Sequence, residues 1–189
     1  MSSPDLARVA QGRPLRLMFQ DEARFGRITD PRRCWAPFPI RPLVACAVVR
    51  EFTYAYAAVS PSDGVLDSLV LPEASTRCMN LFLQEVSARH PTEHILMVLD
   101  GAGWHRAGHL HLPANLSLLF LPPYSPELNP VEHLWDELRE KHFHNDVFRS
   151  LSAVEDRLVD ALAQLERSPE LVRSITGWPW IIGLDLVAG

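Results

Sequence analysis

The sequence predicts a mixed α/β fold, with about five strands in one sheet and helices on both faces. Three observations carry this. Extended, β-branched or aromatic runs joined by short links come first, and helical patterns separate the later ones. His94–Leu99 is almost wholly apolar, as expected of a strand buried on both faces in the middle of a parallel sheet. With 189 residues and 47% hydrophobic content, the chain has enough material for one real core.

The elements follow in order. Residues 1–13 form a polar lead-in. Residues 14–20 (PLRLMFQ) read as a strand that stops at Asp21-Glu22. Residues 23–42, rich in Arg, Pro and aromatics, suit a long connection with Trp35 as a hydrophobic anchor. Residues 43–50 and 52–60 read as an antiparallel pair. Pro61-Ser62-Asp63-Gly64 is a turn signature, and 65–71 adds a short extended piece. Residues 73–90 carry helical spacing at Cys78, Leu81, Phe82, Glu85 and Val86, ending at Pro91. Strand 94–99 stops at Asp100, 101–112 is loop or short helix, and 116–121 is a further buried strand. The prolines from Pro122 to Pro126 hold their segment extended.

Two helices complete the pattern. One begins at Asn129-Pro130 and lines up Val131, Leu134, Trp135, Leu138 and His142. The other runs from about 152 to 167 with Val154, Leu158, Ala161, Leu162 and Leu165 on one face. We divide the chain into the lead-in 1–13, a core domain 14–150 and a helical extension 151–189 packed on the same domain.

Composition narrows the function. No apolar run reaches 18 residues and no signal-peptide h-region opens the chain, so a cytoplasmic protein is expected. Cys34, Cys46 and Cys78 are widely spaced, which fits reduced buried thiols rather than a disulfide frame or zinc site. The net charge is −5, but residues 1–50 hold nine Arg against four acidic residues. A basic front thus adjoins an acidic remainder, either as ordinary solvated surface or as a basic face beside a carboxylate site.

Asp21 and Asp100 each end an apolar strand, where open α/β sheets place their sites. If those two strands are neighbours, the carboxylates face each other and Glu132 arrives on the helix after the fifth strand. Unit charges about 4 Å apart repel by roughly 4 kcal/mol at an effective dielectric near 20. Bound Mg²⁺ or Mn²⁺ converts that repulsion into coordination by hard oxygen donors, and two such ions serve phosphodiester chemistry. Plain structural roles compete: Asp commonly ends strands, and Asn129-Pro130-Val131-Glu132 reads equally as N-cap to N3 with Glu reaching back to the cap. His105, five residues after Asp100, is a candidate phosphate or leaving-group contact. The other histidines lack a specific zinc spacing. Arg24, Arg27, Arg32 and Arg33 cluster just after Asp21 as phosphate contacts or solvated charges. Trp104, Trp135, Trp178 and Trp180 read as core.

Phe19-Gln20-Asp21-Glu22-Ala23, Val98-Leu99-Asp100 with His105, and the run from Leu121 through Pro126 and Asn129-Pro130-Val131-Glu132 to Trp135 resemble one family. It is the DDE transposase catalytic domain, in the bacterial insertion-sequence branch of the mariner-like superfamily. The last block is the most specific. The resemblance implies an RNase H-like fold and a catalytic, metal-binding triad of Asp21, Asp100 and Glu132 with two Mg²⁺ or Mn²⁺ ions. Glu22, His105, Asn129 and the four arginines become auxiliary or DNA-contacting residues. The implied reaction is hydrolysis at transposon ends followed by attack of the freed 3′-hydroxyl on target DNA, by a homodimer on double-stranded DNA near the nucleoid. Two departures stand out. Gly101 follows the second Asp where the family usually has Asn, and no room is left for the family's N-terminal helix-turn-helix domains. The chain then reads as a split-gene product, a fragment or a remnant, with end recognition supplied separately. Another RNase H-like nuclease, or a non-catalytic remnant, is the alternative.

Overall fold

The computed structural model describes residues 12–28, 31, 33, 35–43, 45–101, 110–123 and 125–183. Five strands form one sheet: β1 (Leu15–Ile28), β2 (Val48–Ser60), β3 (Val65–Leu71), β4 (His94–Leu99) and β5 (Leu116–Phe120). Their spatial order is β3-β2-β1-β4-β5. The first three pair antiparallel, while β4 runs parallel to both β1 and β5. This is the mixed five-stranded sheet that the element order implies, and its arrangement is the RNase H-like one that the family resemblance implies.

Helix α1 (Thr76–Arg89) covers one face. Its Met79, Phe82, Leu83 and Val86 pack on Met18, Tyr56, Ile95 and Met97. On the other face lie α2 (Val131–Leu138), α3 (Leu151–Glu166), α4 (Pro169–Thr176) and the single turn α5 (Pro179–Ile182). There Leu134, Trp135, Leu158 and Leu162 join Phe19, Phe25, Ala57 and Val98. The period-two alternation of β1 divides its side chains between these two cores: Met18 faces α1, and Phe19, Ala23 and Phe25 face α2 and α3. Every residue of β4 is buried, as its almost wholly apolar run requires, and His94 at its start is buried with the rest.

Several sequence expectations are corrected. β1 does not stop at Asp21 but continues to Ile28, because its antiparallel ladder with β2 runs from Phe19↔Val59 to Gly26↔Phe52. Residues 43–50 and 52–60 are not a pair. From Val48 onward they form one strand, since Glu51 alone cannot turn the chain. Trp35 is fully exposed rather than a hydrophobic anchor, and Cys46 is exposed, whereas Cys78 is buried. β5 is an edge strand with Leu119 and Phe120 partly open rather than a buried one. On α1, Met79 and Leu83 take the core positions and Leu81 is exposed. Trp180 is nearly half exposed. Cys34 and Trp104 lie outside the described residues.

Candidate active site

The β1–β4 ladder ends at Phe19↔Val98. Two residues further along each strand stand Asp21 and Asp100, so the parallel register sets them side by side. Asp21 remains inside β1, opposite Ala57 of β2, whereas Asp100 follows the last residue of β4. Asp21 shares the face of Phe19 and Ala23, and it meets α2 there. The indole Nε1–H of Trp135 donates to Asp21 Oδ2 at 2.8 Å.

Glu132 occupies the first turn of α2. Asn129, only 3% exposed, fixes where that turn begins. Its Nδ2–H donates to the carbonyl of Gln20 at 3.0 Å, and its Oδ1 accepts the N–H of Val131 at 3.2 Å. One side chain thus caps the helix and ties it to the residue preceding Asp21. The helix proper starts one residue later than Asn-Pro spacing suggests, with Pro130 at the boundary.

Asp21, Asp100 and Glu132 line one cleft of about 460 Å³, walled by Leu121, Pro122, Pro123, Ser125, Pro126 and Asn129. A second cleft of about 470 Å³ shares the three carboxylates and continues past Glu22, Arg24, Tyr54, Trp135 and Arg139. Burial, then the charges of Glu132 and Glu22, push the Asp21 carboxyl up to about 8 against the opposing pull of the Trp135 hydrogen bond. Burial also raises Glu132; Arg139 opposes that rise, while Asp136 and Asp100 add to it.

The donor set consists of carboxylate oxygens, which suits a hard divalent cation. The upward shifts of Asp21 and Glu132 mark charge crowding that a cation would relieve. Among the described residues, however, no group of three or more His, Cys, Asp or Glu is gathered closely enough to hold an ion. The three carboxylates share a cleft without closing on one point.

The remaining expected site residues divide. Glu22 accepts from Gln20 Nε2 at 2.8 Å and lines the second cleft. Arg24 lines the same cleft. Arg27 is engaged elsewhere, with Nη1 on Glu51 and Nε on the Phe148 carbonyl. Arg33 is exposed in the connection between β1 and β2. His105 and Arg32 lie outside the described residues. Sequence reasoning assigns Trp135 to the core alone and passes over Arg139. The available signal is spacing, because both follow Glu132 on one helix, at i+3 and i+7.

An RNase H-like sheet with carboxylates where its central strands adjoin, and a third on the following helix, defines a DDE-type catalytic domain. The chain belongs to the DDE superfamily endonucleases, whose family model matches residues 16–155. It is 35% identical over 130 residues to the uncharacterized protein y4pE/y4sA of Sinorhizobium fredii, covering 68% of this chain and 96% of that one. It is also 34% identical over 61 residues to the transposable element Tc1 transposase of Caenorhabditis elegans, covering 32% of this chain and 18% of the transposase.

Among solved structures, the Mos1 mariner paired-end complex with Mn matches at a TM-score of 0.59 and 15% identity, over 86% of this chain and 56% of Mos1. The catalytic core of BIV integrase matches at 0.52 and 15% identity, over 84% of this chain and 93% of that domain. The chain thus spans about half of Mos1 and a smaller part of Tc1 transposase. No helix among the described residues is long and apolar enough to cross a membrane.

Proposed function

We propose that this domain catalyses metal-dependent cleavage of DNA at transposon ends and the strand transfer that follows. The observation that carries this reading is the meeting of Asp21, Asp100 and Glu132 on one cleft. These three carboxylates are the residues that would hold Mg²⁺ or Mn²⁺, two ions per site. When bound, the ions supply an activated water or hydroxyl nucleophile and stabilise the leaving oxygen.

The chain's own groups set up that chemistry. Trp135 fixes the orientation of Asp21 by its hydrogen bond. Asn129 anchors the helix start and so the position of Glu132. In hydrolysis a water oxygen attacks phosphorus, the P–O3′ bond breaks, and the 3′ oxygen leaves as a hydroxyl after gaining a proton. In strand transfer that hydroxyl attacks a target phosphodiester, forms a new P–O bond and releases a target 3′-hydroxyl. Neither step uses a covalent protein–DNA intermediate.

We further read residues 14–150 as the catalytic unit and 151–189 as its extension, acting as a homodimer on double-stranded DNA in the cytoplasm.

The test is nicking of duplex DNA with Mn²⁺ by wild type and Asp100→Asn. Loss of nicking in the variant is expected; undiminished nicking would sink the triad. A second reading, a domain that keeps the fold without the chemistry, draws on the carboxylates not closing on one point and on Gly101 at the cleft wall. It requires that Mn²⁺ leave the melting temperature unchanged with and without DNA.

A further inference from the structure

The two clefts on either side of the carboxylates differ in charge. Among the described residues, the proline-walled one has no cationic side chain. The other brings in Arg24 and Arg139. It opens where β4 has ended, so that β1 beyond Asp21 no longer has β4 along that edge.

Arg24 comes from the α1 side of β1. Arg139 comes from the end of α2, seven residues after Glu132, which returns it to nearly the same helix face. Both guanidinium groups are placed by aromatic rings: Arg24 Cζ lies 4.5 Å from the centre of Phe52, and Arg139 Cζ 5.5 Å from that of Phe25. Phe25 itself packs edge-on to Trp135, the residue that holds Asp21. Among the described residues, the carboxylate nearest Arg139 is that of Asp136, at a long 3.9 Å. The Arg139 side chain is 36% exposed, so it is reachable from solvent.

The electrostatics require such a pair. Four acidic side chains, Glu22 among them, line this cleft and repel a polyanion. A DNA strand laid against them needs fixed cations beside the reacting phosphate, and guanidinium is the group whose planar fork matches phosphate.

We propose that Arg24 and Arg139 form a phosphate clamp for the DNA strand that runs along the open edge of β1. They are positioning residues that grip phosphodiesters flanking the one at the carboxylates. This rests on the catalytic reading given above and extends it by assigning the strand's path to the arginine cleft rather than the proline cleft. Phosphate recognition of this kind is independent of base sequence, so any duplex serves as the probe.

The experiment measures binding of a fluorescent duplex of arbitrary sequence, without divalent ions, over a range of salt. The proteins are wild type, Arg24→Gln, Arg139→Gln, Arg139→Lys and Arg173→Gln, the last on α4 beside the Gly64 turn at the far end of the sheet. Removing one cation that neutralises a phosphate should reduce the slope of log K against log salt by about one. Arg24→Gln and Arg139→Gln should each show this with severalfold weaker binding. Arg139→Lys should keep the slope, and Arg173→Gln should match wild type. Unchanged slopes in both glutamine variants would overturn the clamp, as would failure of wild type to bind the duplex. Retention of the slope by Arg139→Lys separates charge removal from misfolding. Nicking by wild type and Asp100→Asn judges the catalytic reading independently. A clamp that fails while nicking still depends on Asp100 leaves that reading standing.

Discussion

The indole of Trp135 donates a 2.8 Å hydrogen bond to Asp21 across 114 positions of sequence. The ring is fully buried, and its N–H reaches a carboxylate held inside the central strand. Trp135→Phe keeps most of the apolar bulk and removes the donor. Loss of a hydrogen bond to a buried polar group costs about 1–3 kcal/mol. Groups that orient a metal ligand typically change metal affinity or activity by roughly 10–100-fold. We expect Trp135→Phe to fold, to melt a few degrees lower and to nick DNA at least tenfold more slowly. Wild-type nicking in the variant would make Trp135 a packing residue only.

The pH dependence of stability follows from Asp21. Its folded value of about 8 lies above the ordinary 3.8 that it regains on unfolding. Between those values the folded chain binds a proton that the unfolded chain releases, so stability falls as pH rises through the window and levels off above about 8. Glu132, also raised, acts in the same direction. In a metal chelator, wild type should therefore melt lower at pH 8 than at pH 5. Asp21→Asn should reduce that slope and melt higher than wild type at pH 8. Parallel slopes for the two proteins would mean that Asp21 is not the group responsible.

Metal should reverse the ranking. Binding requires the carboxylates to be ionised, so Mn²⁺ affinity should increase from pH 6 to pH 8 as Asp21 gives up its proton. A hundredfold excess over the dissociation constant stabilises a protein by about 2.7 kcal/mol. Thermal melts with Mn²⁺ should show that gain in wild type and not in Asp21→Asn. Equal gains in both would place the ion elsewhere.

What the sequence reveals, and what it hides, has physical causes. His94–Leu99 is legible because both faces of β4 are buried, and the α3 stripe because Val154, Leu158, Ala161, Leu162 and Leu165 all reach the core. The Asp21–Glu22 pair looks like a strand end because charge within a central strand is rare without a function. The alternation of buried Ala23 and Phe25 with exposed Arg24 is the signal that β1 continues. Trp35 misleads because local hydrophobicity does not say what a side chain meets. The bond of Trp135 to Asp21 is hidden for the same reason: spacing sets Trp135 one turn after Glu132 but does not say which group on another element its indole N–H meets.

A separate prediction concerns the opposite end of the sheet. His90 places Nε2 2.8 Å from Asp67 and Nδ1 3.2 Å from Glu93, and Asp67 is only 4% exposed. Arg89 reaches Asp67 at a longer 3.3 Å. His90→Ala leaves the buried carboxylate with the weaker partner and should destabilise the fold by about 1–3 kcal/mol. Glu85→Ala, which breaks an exposed pair with Arg89, should cost under about 1 kcal/mol. Chemical denaturation of the two variants checks the contrast. Similar midpoints would show that the His90 network adds little.

Asn129 offers the sharpest link between stability and the site. Asn129→Ala leaves the Gln20 carbonyl and the Val131 N–H without the partners they have now. Asn129→Asp keeps the acceptor for Val131 but sets a second oxygen against the Gln20 carbonyl, in a buried position near Asp21 and Glu132. At pH 8 that oxygen is an unpaired charge among charges, the most costly arrangement of the three. At pH 5 the new carboxyl can hold its proton and donate it to the same carbonyl. Asn129→Asp should therefore be less stable than Asn129→Ala at pH 8 and more stable at pH 5, a crossing that loss of helix capping alone does not produce. Melts of both variants at the two pH values decide it: a crossing ties Asn129 to the β1 carbonyl, and a constant ranking would reduce it to an ordinary cap.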